Sequence, residues 1–204
     1  MPAPVVMPVM APVMAKARDL PPLWLIRHGQ TEWNLQGRLQ GRGDSPLTAM
    51  GRAQARGLGP LARGLPGIRL TSPAGRARDT ARLIFGTDIP ADPRLAEICV
   101  GGFAGLCEDD LRARHPAVFA GGPLDWYDRC PGGEGFAALE LRCRDLLAGL
   151  DGPAVLVTHG ITLRMIRALA MGHGVTQGGP VIQGAVHHIS HEREAVLHPP
   201  GFSA

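Results

Sequence analysis

Leu23-Trp24-Leu25-Ile26 is an unbroken apolar run that stops abruptly at Arg27-His28-Gly29. A run of this length predicts a strand buried on both faces, as in a parallel sheet covered by helices. Val155-Leu156-Val157 repeats the pattern and ends at Thr158-His159-Gly160, while Ile68-Arg69-Leu70-Thr71 ends at Ser72-Pro73. Between these runs the apolar spacing changes to that of helices. Thr48 is placed to cap a helix over 48–63 with Met50, Leu58 and Leu61 on its inner side. Ala77, Ala81 and Ile84 mark a helix over 74–85 that carries Arg76 in its first turn. A helix over 134–150 has the stripe Phe136, Leu139, Cys143, Leu146, Leu147 and Leu150, and another over 161–171 follows the run at 155–157. Two last strands are predicted over 181–189 and 194–198. This alternation predicts an α/β protein of three α/β/α layers around a mostly parallel sheet.

The remaining segments are less regular. Residues 37–46 read as a loop, and an extended piece from Ile89 to Leu95 leads to Glu97. From 101 to 133 the chain is broken by Pro116, Pro123 and Pro131, with one helix over 108–115. Trp126 and Tyr127 lie in this stretch, which reads as a lid-like insertion or as a surface excursion with its own small core. Residues 1–22 alternate Pro with Val, Met and Ala, and predict a disordered tail ahead of a single domain over 23–204. Lys16 and Arg18 follow the apolar part instead of preceding it, the reverse of a secretory signal, and Met14 is an alternative start.

Composition narrows the functional classes. The 204 residues are 45% hydrophobic and 19% charged with a net charge of +3, too weak to imply nucleic-acid binding. No apolar run reaches membrane-spanning length. The four cysteines lack metal-site spacing, so free thiols in a cytoplasmic, reducing compartment are expected. His187, His188 and His191 cluster, but in a strand 187 and 191 share a face that 188 does not, which argues against a metal site.

The chemistry concentrates at strand ends. In a parallel sheet the C-terminal ends share one edge, which brings Arg27, His28, Arg76 and His159 together. Two of the three strand ends also open a helix, whose N-terminal amides favour an anion. Cations and imidazoles in such a cluster suit a phosphate group.

Arg27-His28-Gly29 with Thr31 and Asn34 resembles the signature of the histidine phosphatase superfamily, which includes the cofactor-dependent phosphoglycerate mutases. The resemblance continues in order through Ser72-Pro73-Ala74-Gly75-Arg76-Ala77-Arg78-Asp79-Thr80-Ala81, Asp92-Pro93-Arg94-Leu95-Ala96-Glu97, Pro131-Gly132-Gly133-Glu134 and Val157-Thr158-His159-Gly160. It implies a phosphoglycerate mutase-like fold of the short phosphatase type. It also implies that His28 is the nucleophile that becomes phosphohistidine, held neutral by donating its other N–H to a carbonyl. Arg27, Arg76 and a protonated His159 resemble the phosphate pocket, with Asn34 a further donor, Gln40-Gly41 the loop beside it and Gly160 adjacent. Glu97 resembles the acid that protonates the leaving alcohol and later activates water; its other reading is an ion-pair partner of a site arginine.

Two positions depart from the pattern. Gly101-Gly102-Phe103-Ala104-Gly105 lacks the acid of the usual Gly-x-Trp-Glu-Gly, which bears on substrate preference, and Gly135 replaces a common serine. Only 61 residues separate Glu97 from His159, whereas phosphoglycerate mutases carry a longer insertion there. The expected activity is therefore hydrolysis of a small phosphorylated metabolite, with mutase activity second and a phosphate-binding pseudoenzyme third. No cofactor, metal, nucleic-acid or membrane partner is expected, and a homodimer is compatible with the sequence.

Overall fold

A computed structural model describes residues 20–191 and 193–199. Five strands form one sheet in the order β2-β3-β1-β4-β5: β1 (Leu23–Arg27), β2 (Ile68–Thr71), β3 (Ala154–Thr158), β4 (Val186–Ser190) and β5 (Arg193–Leu197). Strands β2, β3 and β1 are parallel, with Leu25 opposite Leu156 and Leu70 also opposite Leu156. Strands β4 and β5 extend the sheet antiparallel, so it is only half parallel. Positions 191 and 192 alone join β4 to β5, a link that suits a hairpin and is far too short for a parallel crossover.

Side-chain alternation along the strands builds the two outer layers. Leu23, Leu25, Ala154, Leu156 and Ile189 face α5 (Gly135–Ala148) and α6 (Gly160–Met171). Trp24, Ile26, Val155, Val157 and Val186 face α2 (Ala49–Ala62) and α3 (Gly75–Phe85). Each fully buried Leu or Ile contributes about 1.5–3 kcal/mol relative to exposure. The chain thus forms the expected three-layer α/β/α fold, and its central strands deliver their last residues to one edge.

Several local readings change. Met50 is 53% exposed, because the buried face of α2 is made by Gly51, Ala55, Leu58, Gly59 and Ala62, with Gly51 against the turn after β1. A Cβ on Gly51 would lie only 2.0 Å from the carbonyl oxygen of Gln30, so two backbones meet there and no side chain fits. Residues 181–185 form a loop, and β4 starts only at Val186. A single-turn helix, α1 (Glu32–Leu35), follows the first strand, closed by a reciprocal pair of bonds between Thr31 and Asn34. The remaining helix, α4 (Glu108–Arg114), lies within 101–133. Phe103, Leu111, Trp126 and Cys130 of that stretch are buried in the same core as α5 and α6, and Tyr127 stacks on Trp126 with ring centroids 3.8 Å apart. The expected tail lies outside the described residues except for its last three: Leu20 packs on the core and Pro22 accepts a hydrogen bond from Ala154.

Candidate active site

His28 follows the last residue of β1 and is 3% exposed. Its amide donates to Thr158 of β3 at 2.9 Å, which ties the turn to the sheet edge. The turn is possible because Gly29 has no side chain: a Cβ there would sit 2.3 Å from the Gly51 carbonyl oxygen. The Nδ1 of His28 lies 2.8 Å from the Gly29 carbonyl, so that nitrogen carries the proton and donates it. Nε2 is then a lone-pair acceptor, 3.3 Å from the Nε–H of Arg76. Burial, reinforced by Arg76 and Arg27, holds the His28 pKa well below its ordinary 6.5.

Arg76 is 1% exposed and reaches His28 from the first turn of α3. Its guanidinium donates to the carbonyls of Gly43 at 2.6 Å and Gly41 at 2.9 Å, and to Asp44 Oδ1 at 3.0 Å. Burial works against its charge, while Glu97 and Asp44 support it. Asp44 also accepts from the backbone amide of Arg76 at 3.2 Å. One carboxylate thus orients both the helix start and its functional side chain.

His159 follows β3 and is fully buried, its ring 5.1 Å from that of His28. Its Nε2 is 2.6 Å from Ser72 Oγ, and Nδ1 is buried without a partner among the described residues. Burial, then Arg76, His28 and Arg27, push its pKa well below 6.5. Both shifts favour the neutral imidazole, so the protonated His159 expected for phosphate binding requires an anion beside it. Arg27, at the end of β1, donates to Val181 O at 3.4 Å, and its buried Nε has no partner among the described residues.

Glu97 has partners the sequence did not suggest. Its Oε1 accepts from the amides of Ile98 and Thr162, each at 3.0 Å, and its Oε2 from the amide of Ile161 at 3.1 Å. The start of α6 is occupied by the Glu97 carboxyl group. Asp44 holds the same place at the start of α3. Both helix ends expected to face a phosphate are thus occupied by carboxyl groups of the chain, leaving the arginines and Asn34 as donors. Backbone amides and the Thr162 hydroxyl, at 3.1 Å, bind Glu97 directly, and no arginine among the described residues does.

Arg27, His28, Asn34, Gln40, Gly41, Arg76 and Glu97 line one cavity of about 260 Å³, together with Arg38 and Tyr127. His159 packs against His28 outside that lining, and Gly160 lies beside the Arg27 guanidinium. Asn34 Oδ1 accepts from the Thr31 amide at 3.1 Å and from Gln183 at 3.3 Å, which turns its NH2 into a donor for the cavity. Gln40 is anchored to Thr31 at 2.8 Å, and Gly41 adopts φ +49° with Val100 too close for a Cβ. Asp44 and Gln183 were missed because no spacing links them to the strand ends they serve. The histidine cluster disperses: His188 stacks on Trp24, His191 contacts Ser190, and His187 pairs with Glu194. No group of metal-binding residues occurs among the described residues, in which all four cysteines are free thiols and no helix is long and apolar enough to cross a membrane.

Comparison with known proteins agrees with this geometry. Residues 23–194 match the model of the histidine phosphatase superfamily, branch 1. A "Probable phosphoglycerate mutase GpmB" of Enterobacter sp. (strain 638) is 37% identical over 163 residues, 74% of each chain. The crystal structure of a "putative alpha-ribazole-5'-P phosphatase" from Escherichia coli superposes with a TM-score of 0.76 at 27% identity, covering 91% of this chain and 100% of that one. A phosphoglycerate mutase from Thermus thermophilus gives a TM-score of 0.66 at 39% identity, covering 82% and 92%. With its motifs in order, its sheet edge assembled around His28 and its matched span nearly complete, the chain belongs to the histidine phosphatase superfamily.

Proposed function

We propose that the protein is a phosphomonoesterase that hydrolyses a small phosphorylated metabolite through phosphohistidine at His28. The observation that carries this reading is the tautomer of His28: Nδ1–H is spent on Gly29, which leaves the Nε2 lone pair beside Arg76 in the cavity. Nε2 attacks phosphorus in line as the bond to the alcohol oxygen breaks, and Glu97 in its acid form gives that oxygen a proton. Glu97 then takes a proton from water as the water oxygen attacks phosphohistidine, and phosphate leaves with His28 restored. Arg27, Arg76 and the Asn34 amide balance charge on the transferring group. A phosphoryl dianion beside His159 favours its protonation, which would give the pocket a further donor.

Turnover of a panel of phosphorylated metabolites, read as released phosphate, tests the proposal. Acid-labile label on the wild-type chain that persists in His28→Ala would overturn the nucleophile assignment. The names carried by the relatives favour mutase activity as a second reading. Against it stands the short connection of 61 residues between Glu97 and His159, which offers little to shield phosphohistidine from water. Incubation of 3-phosphoglycerate with catalytic 2,3-bisphosphoglycerate decides between them, since isomerisation without phosphate release identifies a mutase.

A further inference from the structure

We propose that His187 is a positioning residue for the phosphate site, acting through the 179–183 segment; the idea rests on the site described above. Three side chains outside the cavity form one unit, two of them buried and Glu194 half-buried. Arg167 of α6 and His187 of β4 are each fully buried, and both donate to the same oxygen, Oε1 of Glu194 on β5, at 3.2 and 3.0 Å. Each also grips the loop that leads into β4. Arg167 donates to the Gly179 carbonyl, and the Ile182 amide donates to Nε2 of His187 at 3.1 Å. The amide requires a lone pair on Nε2, so Nδ1 carries the proton shared with Glu194.

The residues on either side of Ile182 reach the site. The Val181 carbonyl accepts from Arg27, and Gln183 donates to the His28 carbonyl at 3.1 Å and to Asn34 Oδ1 at 3.3 Å. The bond at Ile182 therefore fixes the loop between its two contacts with the phosphate-binding residues. No part of the unit lines the cavity, so it acts through position alone. The groups facing His187 are Glu194 and Arg167, and burial keeps its pKa below the ordinary value against the pull of Glu194. The neutral form that the Ile182 bond requires is thus the resting one.

Two variants separate positioning from mere packing. His187→Gln can place an acceptor where Nε2 lies; His187→Asn is too short to reach Ile182 but keeps a donor near Glu194. Orthovanadate binding by calorimetry on the full chain reads the site without turnover, and hydrogen exchange at the Ile182 amide reads the loop without any ligand. Vanadate affinity should fall about tenfold in His187→Asn, the scale of one lost buried hydrogen bond, with faster exchange at Ile182, and His187→Gln should restore most of both. Equal weakening in both variants, or wild-type affinity in His187→Asn, would overturn the proposal. If the wild-type chain binds no vanadate, the phosphate-site reading fails by itself. Exchange at Ile182 then decides whether His187 holds the loop: unchanged exchange in His187→Asn rejects it.

Discussion

The Nε of Arg76 stands 3.3 Å from Nε2 of His28, and the same guanidinium is pinned by Gly41, Gly43 and Asp44. A guanidinium always donates, so this approach demands a lone pair on Nε2. One tautomer of His28 is thereby selected from both ends of the ring, by Gly29 at Nδ1 and by Arg76 at Nε2.

On the proposed mechanism, removing the His28 ring removes the nucleophile but little of the scaffold. His28→Ala should lower phosphate release by on the order of 10³-fold or more and abolish the acid-labile phosphoenzyme. Turnover of a phosphomonoester and acid-quench labelling check it; a labelled, active variant refutes the role.

On the proposed function, Asp44 acts on phosphate only through Arg76. Asp44→Ala leaves the guanidinium on two carbonyls and on His28 but removes its ion pair and the acceptor of its backbone amide. The Asp44 side chain is 46% exposed, so the predicted loss of vanadate affinity is modest, about three- to tenfold. Titration by calorimetry measures it, and an unchanged affinity would show that the carbonyls suffice.

Glu97→Gln separates proton transfer from helix capping. A carboxamide can keep its oxygen at the Ile98 and Thr162 amides, but then turns NH2 toward the Ile161 N–H. The unpaired amide should cost about 1–3 kcal/mol, visible in denaturant unfolding. Turnover should fall most for alkyl phosphates, whose leaving alcohols need a proton, and least for p-nitrophenyl phosphate. Equal losses for both leaving groups would count against the acid role.

Two buried neutral imidazoles make stability depend on pH. The unfolded chain binds protons at His28 and His159 near pH 6.5, whereas the folded chain binds them only at lower pH. Stability is therefore fully present above pH 6.5 and is lost as pH falls below it, by up to about 1.4 kcal/mol per pH unit for each histidine. Thermal melts between pH 7 and 5 should show the slope, and His28→Asn should reduce it. An unchanged slope in that variant would mean that His28 does not supply it.

The contact of α2 with the turn after β1 rests on backbone. Gly51→Ala must push Gln30 aside and should impair both stability and turnover, whereas Met50→Ala, on the exposed face, should stay within about 0.5 kcal/mol of the parent. Unfolding curves for the pair check this, and a neutral Gly51→Ala would mean that the helix shifts at little cost.

Legibility followed the range of each interaction. The runs at 23–26 and 155–157 were readable as buried strands, and they deliver Arg27, His28 and His159 where the pattern placed them. Met50 misled because periodicity registers large apolar residues and is silent about glycines where backbones touch. The β4–β5 half of the sheet was read as strand without direction, since alternation carries no sign of parallel or antiparallel pairing. Gln183 and Asp44 carried no local signal, being ordinary polar residues in loops.

By itself, the order of residues determined the strand ends, the helix faces and the identity of the groups gathered at the sheet edge, because each follows from local periodicity and side-chain chemistry. Tertiary structure alone decided which nitrogen of His28 is free, that burial lowers the pKa of both histidines, and that Glu97 and Asp44 occupy the helix ends. Those outcomes depend on contacts between residues distant in the chain, and on the loss of solvent that makes each hydrogen bond and charge there matter.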